Sequence, residues 1–156
     1  MQITFHPAVA ADLPELVGMM RELQEDDPWS IPFEEAEAAE AMEKLLRDSS
    51  LGRVWIIAAD GHTIGYIVMC FDYSLEYRGR GAWVDEFFVR RSNRGLGIGT
   101  QALDFFLLQA RELEVSVVYL EVNHGNPAID LYRRKGFEDH QRYLMTRWIT
   151  NEPLVR

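Results

Sequence analysis

The sequence predicts an α/β fold of mixed (α+β) type: a single domain over residues 1–156, with a mixed central β-sheet flanked by helices. Three observations point there. Arg53–Ala59 and Thr63–Phe71 are β-rich runs separated by Asp60-Gly61, a strong hairpin signal. Ala82–Arg90, a glycine-rich turn, an amphipathic helix and the apolar run Ser116–Val122 follow one another as a βαβ unit, so the two strands are expected to be parallel neighbours. Upstream of Arg53, two helical stripes of apolar residues can cover one face of such a sheet.

The elements follow in order. Gln2–His6 alternates like a short strand. Asp12 is placed to cap a helix, with Glu15 three residues on as its capping-box partner, and Leu13, Leu16, Val17 and Met20 fall on one face. Asp26-Asp27-Pro28-Trp29-Ser30 breaks that helix. A second helix is expected from Phe33 to Asp48, with Ala38, Met42, Leu45 and Leu46 inward. Asp72–Gly81 reads as a polar loop between the second and third strands. The helix Gly97–Leu113 turns Gly99, Ala102, Leu103, Phe106, Ala110 and Leu113 inward. Ser116–Val122 is apolar enough for a strand buried on both faces. Pro127 suits the first turn of a short helix ending before Gly136, and Phe137–His140 with Arg142–Ile149 read as a closing pair of strands.

Composition narrows the function. Of the 156 residues, 47% are hydrophobic and 26% charged, a globular mix that argues against wholesale disorder. The longest apolar stretch, Ile64–Phe71, is too short to span a bilayer. Met1–Pro7 lacks the basic and apolar regions of a secretory signal, and the one cysteine, Cys70, excludes an intrachain disulfide framework and fits a reducing compartment, so a cytoplasmic location is expected. The net charge of -9 resides in Asp12–Asp48, where 12 acids face 3 bases. Such a chain is a poor nonspecific partner for nucleic acid, and no membrane partner is expected. The acidic segment reads first as solvated helix faces, with attraction of a cationic partner as the alternative. His6, His62, His124 and His140 have no zinc-ligand spacing, and no metal is expected.

Arg94-Gly95-Leu96-Gly97-Ile98-Gly99-Thr100 stands between a strand and a helix. Glycines let the backbone turn tightly and approach a ligand without a Cβ in the way. Free N–H groups at the helix start, aided by the helix dipole, then favour an anion such as a phosphate or pyrophosphate. The spacing is neither G-x-G-x-x-G nor a P-loop. A tight turn with no ligand is the alternative, and three glycines at alternate positions weigh against it.

Arg94-x-x-Gly97-x-Gly99, following Val84-Asp85-Glu86-Phe87-Phe88-Val89, resembles motif A of the GCN5-related N-acetyltransferase (GNAT) family. Leu120-Glu121-Val122-Asn123-x-x-Asn126-x-Ala128-Ile129-x-Leu131-Tyr132-x-x-x-Gly136-Phe137 is similar to its motif B, and Ala11-Asp12-Leu13-Pro14-Glu15-Leu16 to the usual entry to its first helix. One departure is Arg90-Arg91-Ser92-Asn93, where the family has a proline. The resemblance implies the GNAT fold, acetyl-CoA as donor and a primary amine as acceptor. It implies that the amides from Gly95 through Leu96, Gly97, Ile98 and Gly99 to Thr100 bind the pyrophosphate. The strand Phe87, Phe88, Val89 would meet the pantetheine arm, using main-chain groups of Phe87 and Val89. Arg91, Arg94, Arg133, Arg134 and Lys135 would contact phosphates, the last three reading equally well as a solvated helix end. Asn126 would touch the cofactor arm or cap the following helix, two compatible uses.

For catalysis, the resemblance assigns Glu86 the base and Tyr132 the acid that protonates the departing thiolate, with Asp85 second to Glu86. Glu86 also reads as an anchor for the acceptor's ammonium group, and Tyr132 also reads as packing against Phe137. Strand alternation puts Glu86 with Val84 and Phe88, and Asp85 with Phe87 and Val89, on opposite faces. The family implies acceptor recognition by Asp26, Asp27, Trp29, Glu34, Glu35 and the loop around Tyr73. Phe71-x-Tyr73-Ser74 before Asp85-Glu86 is similar to the diamine acetyltransferase branch, so a polyamine- or lysine-like cation leads. Antibiotic amino groups and peptide N-termini remain open. A homodimer is implied by the family. A second reading keeps the fold as a noncatalytic acyl-CoA-binding sensor, against which Glu86 and Tyr132 both argue. A nucleotide-binding regulator is a third.

Overall fold

A computed structural model describes residues 1–28 and 31–149. The elements are β1 (Ile3–Pro7), α1 (Leu13–Asp26), α2 (Glu35–Arg47), β2 (Gly52–Ala59), β3 (His62–Ser74), β4 (Gly79–Val89), α3 (Ile98–Glu112), β5 (Val117–Tyr119) and α4 (Ile129–Arg134). They build one sheet in the order β1-β2-β3-β4-β5, antiparallel through β4 and parallel between β4 and β5. The expected mixed sheet and βαβ unit are both present. Asp60 and Gly61 turn the β2–β3 hairpin with φ of 48° and 81°, the left-handed pair that a two-residue turn needs.

Helices α1 and α2 cover one face. Leu16, Met19, Met20, Ala38 and Met42 pack there against Val54, Ile56, Tyr66, Val68 and Phe88. Helix α3 covers the other, setting Leu103, Phe106 and Ala110 against Trp55, Ile67, Met69 and Val84, with Leu131 and Tyr132 of α4 at its margin. The alternation of β3 divides its side chains between these two layers.

Several expectations are corrected. Asp12 does not cap α1; its Oδ2 accepts from Val9 N–H at 2.8 Å, because a 3₁₀ turn over Ala10–Asp12 precedes the helix. Most of the predicted loop Asp72–Gly81 is strand, since Tyr73 pairs with Arg80 and Ser74 with Gly79, leaving four residues to turn. Ser116–Val122 supplies only three strand residues, half-buried and not enclosed. The closing strands Phe137–His140 and Arg142–Ile149 do not form among the described residues. With β5 ending at Tyr119, the sheet edge is too short to hold a hairpin. The segment has no regular structure and is tied by Arg142 to Glu76 at 3.0 and 3.1 Å, with Tyr143, Met145, Trp148 and Ile149 exposed.

Candidate active site

Two irregularities in β4 create the site. The first is a parting. Gly81, Ala82 and Trp83 pair with Val117, Val118 and Tyr119, and there the β4–β5 ladder stops. From Val84 to Val89 the strand remains paired with β3 but has an open edge on its other side. A cleft of about 2400 Å³ lies along that edge, lined by Asp85, Glu86, the turn residues Gly95, Gly97, Gly99 and Thr100, Asn126 and Tyr132.

The second is a bulge. Val68 pairs with Glu86 but Met69 pairs with Val84, so Asp85 is an extra residue in β4. A bulge breaks strict alternation. The expectation that the two acids point to opposite faces is therefore corrected. The Tyr66 hydroxyl donates to Glu86 Oε2 at 2.7 Å. Val84 packs in the α3 layer and Phe88 in the α1–α2 layer, so the alternation breaks between them and the bulge sets Asp85 and Glu86 together opposite Val68.

These surroundings shift the acids. Burial pushes Glu86 up to about 7, with the Tyr66 hydrogen bond pulling down and the Asp85 charge adding to the rise. Partial burial also raises Asp85, with the neighbouring Cys70 thiol working the other way. Asp85 lines the cleft and keeps an exposed surface. Burial raises the Tyr132 phenol, helped by the charge of Asp27, and keeps it protonated. Among the described residues no cation pairs with Asp85 or Glu86, whereas Asp26, Glu35, Glu43, Glu76 and Asp104 each have one.

The glycine turn lies at the mouth of the cleft. Gly95 and Gly97 both have φ of 77°, and a Cβ at either would point into open space. Helix α3 makes its first backbone bond from Gln101 N–H to Gly97 O, so the amides of Ile98, Gly99 and Thr100 precede it and have no intrahelical acceptor. Gly99 packs closely under Leu131 and Phe87, where a Cβ would come within 3.1 Å of Leu131. Leu96 is exposed and lies outside the cleft lining, and Phe88 is buried beneath the Arg94 guanidinium.

Other predicted residues have definite partners. Asp26 is bonded by both Arg91 and Arg94, with Arg91 Nε at 2.7 Å. Burial works against its charge, but the hydrogen bonds of Arg94 and Arg91 outweigh it and hold the carboxyl below its ordinary range. Asp27 accepts from Asn123 Nδ2 at 2.5 Å. The end of α1 thus touches both sides of the cleft. Asn126 Oδ1 accepts from Ala128 N–H at 2.9 Å, an Asx turn leading into α4; it does not cap the helix, whose N-cap position is Ala128. Lys135 is bound to Asp104 of α3 at 2.5 Å. Tyr73 is 72% exposed and outside the cleft lining. Trp29 lies outside the described residues.

Sequence reasoning missed Tyr66 and Asn123 as site residues. Tyr66 did carry a signal: a tyrosine on the apolar face of a central strand has a hydroxyl that must find a partner.

Comparison with known proteins agrees with this geometry. The acetyltransferase (GNAT) family profile matches residues 16–137. An uncharacterized N-acetyltransferase encoded in the pepI 3' region of Lactobacillus delbrueckii subsp. lactis is 26% identical over 143 residues, covering 83% of this chain and 82% of that one. The crystal structure of an integron cassette protein from the mobile metagenome of Cole Harbour Salt Marsh superposes with a TM-score of 0.81 at 32% identity, covering 95% of this chain and 91% of that one. A predicted acetyltransferase from Clostridium acetobutylicum, crystallised with acetyl-CoA, has a TM-score of 0.80 at 19% identity, covering 94% and 96% of the two chains. With the motif turn, the parted strands and the family match in agreement, this chain belongs to the GNAT acetyltransferase family.

Proposed function

We propose that this protein is an acetyl-CoA-dependent N-acetyltransferase whose acceptor is a small cationic amine, polyamine- or lysine-like. The observation that carries this reading is the pair Asp85 and Glu86: two adjacent acids at a bulge, lining the cleft, neither ion-paired among the described residues. The half-buried Glu86 carboxyl lacks a counter-charge, and an acceptor's ammonium group would supply it.

The residues present fit the cofactor. Open space above Gly95 and Gly97 admits a diphosphate close to the main chain. The amides of Ile98, Gly99 and Thr100 are free to donate to it, and the unpaired edge of Val84–Val89 suits an extended arm carrying amides. When bound, acetyl-CoA supplies an acyl carbon activated as a thioester. An amine near pKa ~10 must lose a proton before it attacks. Glu86 accepts that proton at Oε1, directly or through a water, because Oε2 is engaged by Tyr66. Tyr132 Oη, kept protonated by burial, holds a proton for the leaving sulfur. The whole chain acts as one catalytic domain, located in the cytoplasm and assembled as a homodimer.

Release of free thiol from acetyl-CoA, followed over a panel of diamines, lysine derivatives, aminoglycosides and peptides, tests the reading. Amine-dependent release that is strongest with small polycations and is abolished in Glu86→Gln is the expected result. Coenzyme binding with no release on any amine would overturn it in favour of a noncatalytic acyl-CoA sensor. Release only with uncharged or peptide acceptors would remove the cationic acceptor.

A further inference from the structure

We propose that Tyr66 is a positioning residue: a neutral donor on β3 that clamps the Glu86 carboxyl at the β4 bulge and leaves its Oε1 for the acceptor. This rests on the reading of Glu86 as the base, and it adds a residue outside the motifs that revealed the family.

Tyr66 is fully buried at 0% exposure, yet it carries a hydroxyl. Water cannot satisfy that group, and it finds Glu86 Oε2 at 2.7 Å. In regular pairing a residue diagonal to Tyr66 across the ladder keeps its place by backbone register alone. Here the bulge disturbs that register one residue away, between Val68 and Met69. A strand with an open far edge and an extra residue has local freedom, so the carboxylate needs a fixed donor behind it. The Tyr66 ring supplies one, itself packed against Phe88 with centroids 6.3 Å apart.

The arrangement has a directional consequence. With Oε2 engaged from below, the free lone pairs of Glu86 sit on Oε1, and the carboxylate cannot rotate without leaving a buried phenol unpaired. An acceptor nitrogen therefore meets a base whose orientation is set before it arrives.

The test reads carboxyl titration and kinetics separately. In the full-length protein with ¹³C-labelled glutamate carboxyls, the Glu86 resonance is identified by its loss in Glu86→Gln and titrated without amine. Tyr66→Phe removes a hydrogen bond to the charged form, so its midpoint should rise by about one pH unit. The acidic limb of kcat/KM should rise with it. Difluorotyrosine in place of Tyr66, which keeps ring and hydroxyl and donates more strongly, should move both midpoints down, and serves also if Tyr66→Phe does not fold. Unmoved midpoints in the NMR titration overturn the clamp. A moved NMR midpoint with an unmoved rate profile upholds the clamp and removes Glu86 as base.

Discussion

Asp26, the last residue of α1, is ion-paired with Arg94, the residue that opens the glycine turn. Arg91 shares the same carboxylate, so two of the cations expected at the cofactor phosphates are already committed to an acid 65 and 68 residues upstream. A negative charge beside a phosphate site opposes phosphate binding. Asp26→Asn is expected to tighten coenzyme binding about fivefold, roughly 1 kcal/mol for a solvent-facing pair, with the gain shrinking as salt rises. Isothermal titration with CoA at two ionic strengths measures this. An unchanged Kd together with a raised amine KM would instead make Asp26 an acceptor residue.

Glu86 imposes a pH dependence of known sign. A base must be ionised, and burial sets this one near about 7. Activity should climb with pH through that value and level above it. Glu86→Gln is expected to lower kcat/KM about 100-fold and to erase that limb. Rates measured from pH 5 to 9, with buffers matched in ionic strength, decide it.

The same group acts on stability in the opposite sense. Its folded value lies above the ordinary 4.5. Below that, the acid is protonated in folded and unfolded chains alike. Between 4.5 and about 7 the folded chain keeps a proton that the unfolded chain has lost, so stability falls as pH rises. Above about 7 the loss is complete and on the order of 3 kcal/mol. Glu86→Gln should therefore melt higher than wild type at alkaline pH and close to it in acid. Thermal melts across that range show the crossover, and parallel curves would contradict it.

Tyr132→Phe keeps the edge-to-face contact with Phe137, whose centroid is 5.9 Å away, and deletes only the hydroxyl. The expected outcome is kcat lowered about 100-fold with the acetyl-CoA KM nearly unchanged. Steady-state kinetics on both substrates separate the two. A kcat close to wild type would leave the residue a purely packing role.

Gly97 occupies the left-handed region at φ 77°. Gly97→Ala costs about 1–2 kcal/mol of backbone strain and puts a methyl group into the space proposed for the diphosphate. Coenzyme affinity is expected to fall at least about tenfold while the melting temperature drops by only a few degrees. Differential scanning fluorimetry with and without CoA reports both.

Much of the fold was legible because its signals are local. Asp60-Gly61 marks its own hairpin, and the stripes Leu16–Met20 and Ala38–Met42 mark their own helices. Gly95 and Gly97 mark a turn whose conformation only glycine adopts freely. What stayed hidden is relational. The bulge at Asp85 depends on how β4 registers against β3, so nothing within Val84–Val89 reveals that Asp85 and Glu86 stand together opposite Val68. The engagement of Asp26 by Arg91 and Arg94 joins segments far apart in the chain, where an acidic run looks like ordinary solvated surface. Arg142–Ile149 has the composition of a strand, but strand formation also needs an adjacent edge long enough to pair with, and three residues of β5 are not.

The parting of β4 from β5 after Trp83 makes the free protein an unfinished piece of masonry. Four courses are mortared along their length, and the fifth is bonded at one end. Whatever fills the gap becomes part of the wall and takes over peptide bonding that the chain withheld from itself. The helix beyond the gap, with Tyr132 on it, is then braced by the guest as much as by its own backbone.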